Sequence, residues 1–132
     1  MIFENVTLVQ SAAGEIFDQM LRIGPGDVLL AIGFPRYSKL TMSAVHFARD
    51  RGAEVIAITD SKMSPLYTLS VASLLVHCEM ISFVDSMAAP VSLLNALIVA
   101  VGKQKSAETA ETFAEMERVW SRYEIFGYED DE

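Results

Sequence analysis

A single cysteine, Cys78, in 132 residues excludes an intramolecular disulfide framework and a multi-cysteine zinc site, and it fits a reducing compartment. Histidine is nearly as scarce, with His46 and His77 alone. A metal site would need His46, His77 and Cys78 to converge from separate elements, so no metal and no cofactor is expected. Bases are outnumbered, ten against eighteen acids, for a net charge of −8. A chain of that sign suits a phosphate backbone poorly, and direct nucleic-acid binding is not expected. The chain does not open on a basic segment followed by an apolar one, so no secretory signal is visible. The longest apolar stretch, Met87 to Val101, is interrupted by Pro90, Ser92 and Asn95. It falls short of the roughly 18–20 residues a bilayer span needs, so it reads as a buried helix, with no membrane partner and a cytoplasmic location. The patterns GxGxxG, GxxxxGK[ST] and G-x-S-x-G are all missing, which leaves dinucleotide, P-loop and serine-hydrolase readings without support.

What is present is a core-forming composition. Hydrophobic residues make up 52% of the chain, enough for one packed domain of this length. The charge is unevenly placed. Residues 1–105 carry nine acids and eight bases, whereas residues 106–132 carry nine acids and two bases. The body is nearly neutral, and the acidity belongs to a solvated C-terminal helix face and a tail. The domain is expected over residues 1–123, with an acidic tail over 124–132.

Strand and helix signals alternate. Val6–Val9 is a β-branched run that predicts a strand, and Ile16, Phe17, Met20 and Leu21 then recur at helical spacing. Gly24-Pro25-Gly26-Asp27 ends that helix. Val28–Ile32 is a continuous apolar run, which suits a strand buried on both faces of a parallel sheet. Leu40–Arg51 follows as a helix with Val45 and Ala48 inward and Gly52 as its stop. His46 on this helix is expected to be exposed. The unit repeats with a strand at Glu54–Ile58 and a short helix opened by Ser64 as N-cap and Pro65 at the first helical position. A third strand is expected at Leu74–His77, making His77 a structural residue of an apolar setting. The helix from about Met87 to Val101 carries Pro90 either in its first turn or at a kink. A last helix runs from Ala107 to Tyr123, with Phe113, Met116 and Trp120 on one side. Alternation at intervals of 20–26 residues means βαβ units and an α/β fold.

Ligands of open α/β sheets sit at the carboxyl ends of the strands, which nominates three loops: Gly33–Ser38, Thr59–Ser64 and His77–Ser86. In the first, a helix N-terminus with the hydroxyls of Ser38 and Thr41 can attract an anion, and Arg36 can clamp a phosphate; equally, Ser38 is a simple N-cap and Arg36 a surface charge. In the second, Thr59, Asp60 and Ser61 can hold sugar hydroxyls, although Asp60 reads better as a turn former. In the third, Glu79 at a strand end can act as a general base, while Cys78 reads as a small core residue.

At these residues the sequence resembles the SIS (sugar isomerase) domain, and in particular the sensor domain of RpiR-type bacterial transcription regulators. The likeness runs from about Ile23 to Ala100. It rests on Gly26-Asp27-Val28-Leu29-Leu30-Ala31-Ile32-Gly33-Phe34-Pro35-Arg36-Tyr37-Ser38, on Ala48 to Ser61, on Ser64-Pro65-Leu66, and on Phe83–Ser86 with Leu93–Leu97. The resemblance implies a three-layer αβα sandwich on a flavodoxin-like parallel sheet that binds phosphosugars, often as a homodimer or tetramer. In the regulators a helix-turn-helix domain contacts DNA and the SIS domain senses the sugar phosphate. The phosphate loop of the family usually reads Ser-x-Ser-Gly-x-Thr. Here Gly33 and Pro35 stand at the serines, Arg36 at the glycine and Ser38 at the threonine. The family's first strand and helix and the helix-turn-helix are not seen in the sequence. Val6–Val9 therefore corresponds to the second strand, in a truncated chain, a proteolysed product or a shortened reading frame. The resulting gap is expected to close through a partner chain or by pairing of Val6–Val9 with Val28–Ile32.

These features favour a non-catalytic phosphosugar sensor with Gly33, Phe34, Arg36, Ser38, Thr41, Thr59 and Ser61 as ligand-binding residues. Glu79 corresponds to the base of the isomerising members, so a sugar-phosphate isomerase is the second reading. A structural dimerisation module built on the two C-terminal helices is the third.

Overall fold

The computed structural model describes residues 5–10, 15–77, 86–104 and 106–123. Cys78, Glu79 and the tail from 124 onward lie outside the described residues. The chain divides into two compact units, Thr7–Leu93 and Leu94–Glu132 with Met1–Val6.

The first unit holds the sheet. Its elements are α1 (Ile16–Gln19), β1 (Val28–Ile32), α2 (Lys39–Asp50), β2 (Glu54–Thr59), α3 (Pro65–Leu69) and β3 (Ala72–Leu75), followed by the first residues of α4 (Ala88–Gln104). The three strands are parallel in the order β1-β2-β3. Val28 pairs with Glu54 and Ile32 with Ile58; Ile56 pairs with Ala72 and Thr59 with Leu75. The α/β fold read from the alternating pattern is the fold observed.

Side chains alternate across a pleated strand, so residues in register share a face. Leu29, Ala31, Val55 and Ala57 face one way, and there α1, α2 and α3 form the core with Ile16, Met20, Ala44, Val45, Ala48 and Leu66. The alanines on both sides let α2 lie close to the sheet. Ser38 caps α2, its hydroxyl accepting from the Thr41 N–H at 3.5 Å. At the far end Gly52 adopts φ +85°, and a side chain there would also press on Pro25 at 3.2 Å. Phe17 meets Phe47 edge-on with centroids 5.4 Å apart, and the Arg51 guanidinium stacks 4.9 Å over Phe47 while donating to the Leu21 carbonyl at 2.9 Å. These contacts join α1 to the end of α2.

Four expectations need correction. Val6–Val9 is not a strand: Leu8 is 73% exposed, and only Val9 packs on the core. The segment is tied to α1 instead, through Gln10 N–H to Gln19 Oε1 at 3.0 Å and Gln19 Nε2 to the Gln10 carbonyl at 3.3 Å. β-propensity makes a strand only where a ladder partner exists, and β1 pairs with β2 alone among the described residues. Second, β1 is not buried on both faces, because Val28, Leu30 and Ile32 are exposed on the face away from α2. Third, the last strand lies two residues earlier than expected. The Val71 N–H donates to the Val55 carbonyl and the Val76 N–H to that of Thr59, each at 2.8 Å. β2 ends at Thr59 and β3 at Leu75, so the ladder stops short of His77, which is exposed. Fourth, α4 is not a buried helix in the single chain, since Val91, Ile98, Val99 and Val101 are exposed. Pro90 sits in its first turn, where its missing N–H breaks no bond. His46 is exposed as expected, and Val45 and Ala48 are fully buried.

The second unit contains the remainder of α4 and α5 (Ser106–Arg122), within one residue of the expected helix. Thr112, Met116 and Trp120 recur every four residues on its less exposed side. No helix of the described residues is long and apolar enough to cross a membrane.

Candidate functional site

A pocket of about 310 Å³ opens at the carboxyl end of β1, where the chain leaves the sheet and enters α2. Ile32, Gly33, Phe34, Pro35, Tyr37, Ser38, Thr41 and Met42 come from this one strand–loop–helix passage. Leu66 from α3 and Met87, just before α4, complete the lining. The opening turn of α2 faces this space. Its first N–H groups have no acceptor within the helix, so they favour an anion, and the hydroxyls of Ser38 and Thr41 stand beside them. Lys39 follows Ser38 on the exposed side of the turn.

Gly33 is set by packing. A Cβ there would come within 2.6 Å of Leu66 Cδ1 and 3.7 Å of Tyr37 Cδ1. Leu66 is fully buried, so the volume that a serine would use at this position is already filled by an apolar side chain. Arg36 is the second departure with a structural signature. It adopts φ +69°, the left-handed region, at the position where the resembled loop has glycine. An L side chain pays about 1–2 kcal/mol for that conformation.

The pocket wall is held from behind by a polar chain. The Tyr37 hydroxyl donates to Asp60 Oδ1. Thr59 Oγ1 lies 3.2 Å from the same carboxylate oxygen and 2.7 Å from Ser64 Oγ. Ser64 Oγ in turn accepts from the Leu66 N–H at 3.2 Å and caps α3. Tyr37 and Leu66, the two side chains that flank Gly33, are thus linked through the exit of β2. Partial burial alone would raise the Asp60 pKa, but hydrogen bonds from Tyr37, its own backbone, Thr59 and Ser61 outweigh it and hold the carboxyl below its ordinary value of 3.8.

Of the seven expected ligand residues, Gly33, Phe34, Ser38 and Thr41 line one pocket. Arg36, Thr59 and Ser61 are not among its lining residues. Arg36 lies exposed on the same loop, and Ser61 is half-buried on the next one. Thr59 is fully buried, with its hydroxyl engaged by Ser64 and Asp60. Glu79 lies outside the described residues. Sequence reasoning gives Tyr37 no role, and reads Asp60 as a turn former or a sugar-hydroxyl partner rather than as the acceptor of Tyr37. Their link spans 23 residues and is visible only when two strand tips are placed side by side. Among the described residues, no three of His, Cys, Asp and Glu group in a metal-binding arrangement.

Comparison with known proteins follows the same lines. No curated protein matches the chain. It is similar to the crystal structure of an RpiR transcription factor from Sphaerobacter thermophilus, in its sugar isomerase domain, with a TM-score of 0.77 and 20% identity. The match covers 85% of this chain and 63% of that one, and at this identity it shows the fold. The SIS domain family model matches residues 2–100, three quarters of the sequence, and the chain belongs to the SIS domain family.

Proposed function

We propose that this chain is a non-catalytic phosphosugar-binding sensor domain of an RpiR-type transcriptional regulator, spanning residues 1–123 and followed by an acidic tail. The observation that carries this reading is the pocket at the tip of β1, closed by the first turn of α2 with Ser38 and Thr41 in its lining. A phosphate seated there meets helix N–H groups and two hydroxyls, with Arg36 on the adjoining loop and Lys39 at the start of α2 supplying positive charge. The sugar extends toward Phe34 and Tyr37. Any DNA contact belongs to a helix-turn-helix domain outside these residues, the chain works in the cytoplasm, and a homodimer or tetramer is its working form.

The test is calorimetric titration with a panel of sugar phosphates and their unphosphorylated parents. Ser38→Gly removes a hydroxyl while costing the helix cap only a few tenths of a kcal/mol. It should weaken sugar-phosphate binding about tenfold, the loss of roughly one hydrogen bond to a charged group. Equal affinity for phosphorylated and unphosphorylated sugars would overturn the reading, as would conversion of the bound compound.

A further inference from the structure

The pocket that holds the phosphate in the proposed reading is polar at one end only. Among its described lining residues, the hydroxyls of Ser38, which also caps α2, and of Thr41 are the polar side-chain groups at the first turn of α2. The Tyr37 hydroxyl is turned to Asp60. The other side chains are hydrocarbon or thioether: Ile32, Phe34, Pro35, Met42, Leu66 and Met87. Two features make this apolar end a built property. Leu66 is fully buried and fills the space that a side chain at position 33 would need, with only 2.6 Å between its Cδ1 and a Cβ placed there. The hydroxyl chain from Tyr37 to Ser64 holds both apolar flanks of Gly33 in place.

A bare polyol suits such a surface badly. Its hydroxyls would leave water for a wall whose side chains offer no partners, and an unsatisfied polar group in such a place costs more than its hydrogen bond returns. An apolar group there gains roughly fourfold in affinity for each buried methylene. We infer that the ligand is a phosphomonoester that presents an apolar portion, such as an alkyl, acyl or aryl substituent, beside its phosphate, so that the phosphate sits on the α2 N-terminus and the apolar portion lies against Met42 and Met87, in front of the buried Leu66. This rests on the phosphate-binding reading above and narrows the class of sugar phosphate it takes.

Two small probes separate the claims, because n-propyl phosphate and glycerol 1-phosphate share a carbon skeleton and differ by two hydroxyls. Dissociation constants for both, for inorganic phosphate and for glucose 6-phosphate are measured by calorimetry on the full chain. Binding of n-propyl phosphate at least tenfold tighter than glycerol 1-phosphate is the expected result. Equal or tighter binding of glycerol 1-phosphate would overturn the inference and leave the phosphate site standing. Failure of all four compounds would overturn the phosphate reading itself and this inference with it. Met87→Ser changes a half-exposed pocket residue that the core does not need. It should shrink the propyl-over-glycerol preference about threefold; an unchanged preference would overturn the assignment to this pocket.

Discussion

β1 and β2 are nearly the same sequence in apolar terms, VLLAI against EVIAIT, and they lie side by side in register. Their fates differ. β2 sits in the centre and buries every residue except Glu54 and, in part, Ile56. β1 sits at the edge of the described sheet and buries only Ala31. The pair Ile32 and Ile58 shows this most cleanly, since the two share a face and a register position, yet one is 39% exposed and the other fully buried. A hydrophobic run thus announces a strand but not its surroundings; strand order decides those. The tips of the two strands differ as well. β1 ends in a pocket and β2 in a knot of hydrogen bonds.

The largest expected effect tests the middle of the two strands. Ile58→Ala should cost about 2–5 kcal/mol in urea denaturation, and Ile32→Ala under about 1 kcal/mol. A large cost for Ile32→Ala that grows with protein concentration would show that its face is covered in the assembled state and would break the contrast. Next comes the tip of β1. Gly33→Ala forces Leu66 from its place and should destabilise by about 1–3 kcal/mol while reducing ligand affinity. A neutral result would mean that α3 yields easily.

At the tip of β2, Tyr37→Phe removes one donor to the half-exposed Asp60 carboxylate and should cost about 1 kcal/mol. The same carboxyl gives a pH test. Its pKa is depressed on folding, so its contribution to stability is present above its ordinary value of 3.8 and is lost as pH falls through the lower folded value. Wild type should therefore lose more stability on acidification below about pH 4 than Asp60→Asn does. Parallel acid titrations of the two proteins would deny the knot its electrostatic part. The smallest effect concerns the loop between the tips. Arg36→Gly relieves a left-handed side chain and should raise stability by up to about 1 kcal/mol, net of the extra freedom glycine has when unfolded.

Much of the framework was legible in the sequence. β1 was read to the residue, because an uninterrupted apolar run lay between a Gly-Pro-Gly turn and Gly33. Ser64 reads as a cap because proline follows it at the first helical position, and Ser38 reads equally as a cap and as an anion donor, because a hydroxyl before a helical pattern serves both. β3 was placed two residues late, since Ala72 and Ser73 carry little strand signal and owe their pairing to the register set by Val71 on Val55. Val6–Val9 misled because local propensity does not report whether a neighbour is available. In the site, Ser38 and Thr41 could be found from the helix start, but Tyr37 acts through Asp60 across two loops and has no local signature. Thr59 was expected to face a ligand, yet the alternation of β2 turns it inward.

Leu66 belongs at once to the lining of the pocket and to the buried core. A guest in the pocket therefore sits over the same side chain that anchors α3 to the sheet. Occupancy should be felt as slower amide hydrogen exchange at Leu66 and Tyr67 than at the distant α1, so that the interior itself becomes the reporter of what the surface has captured.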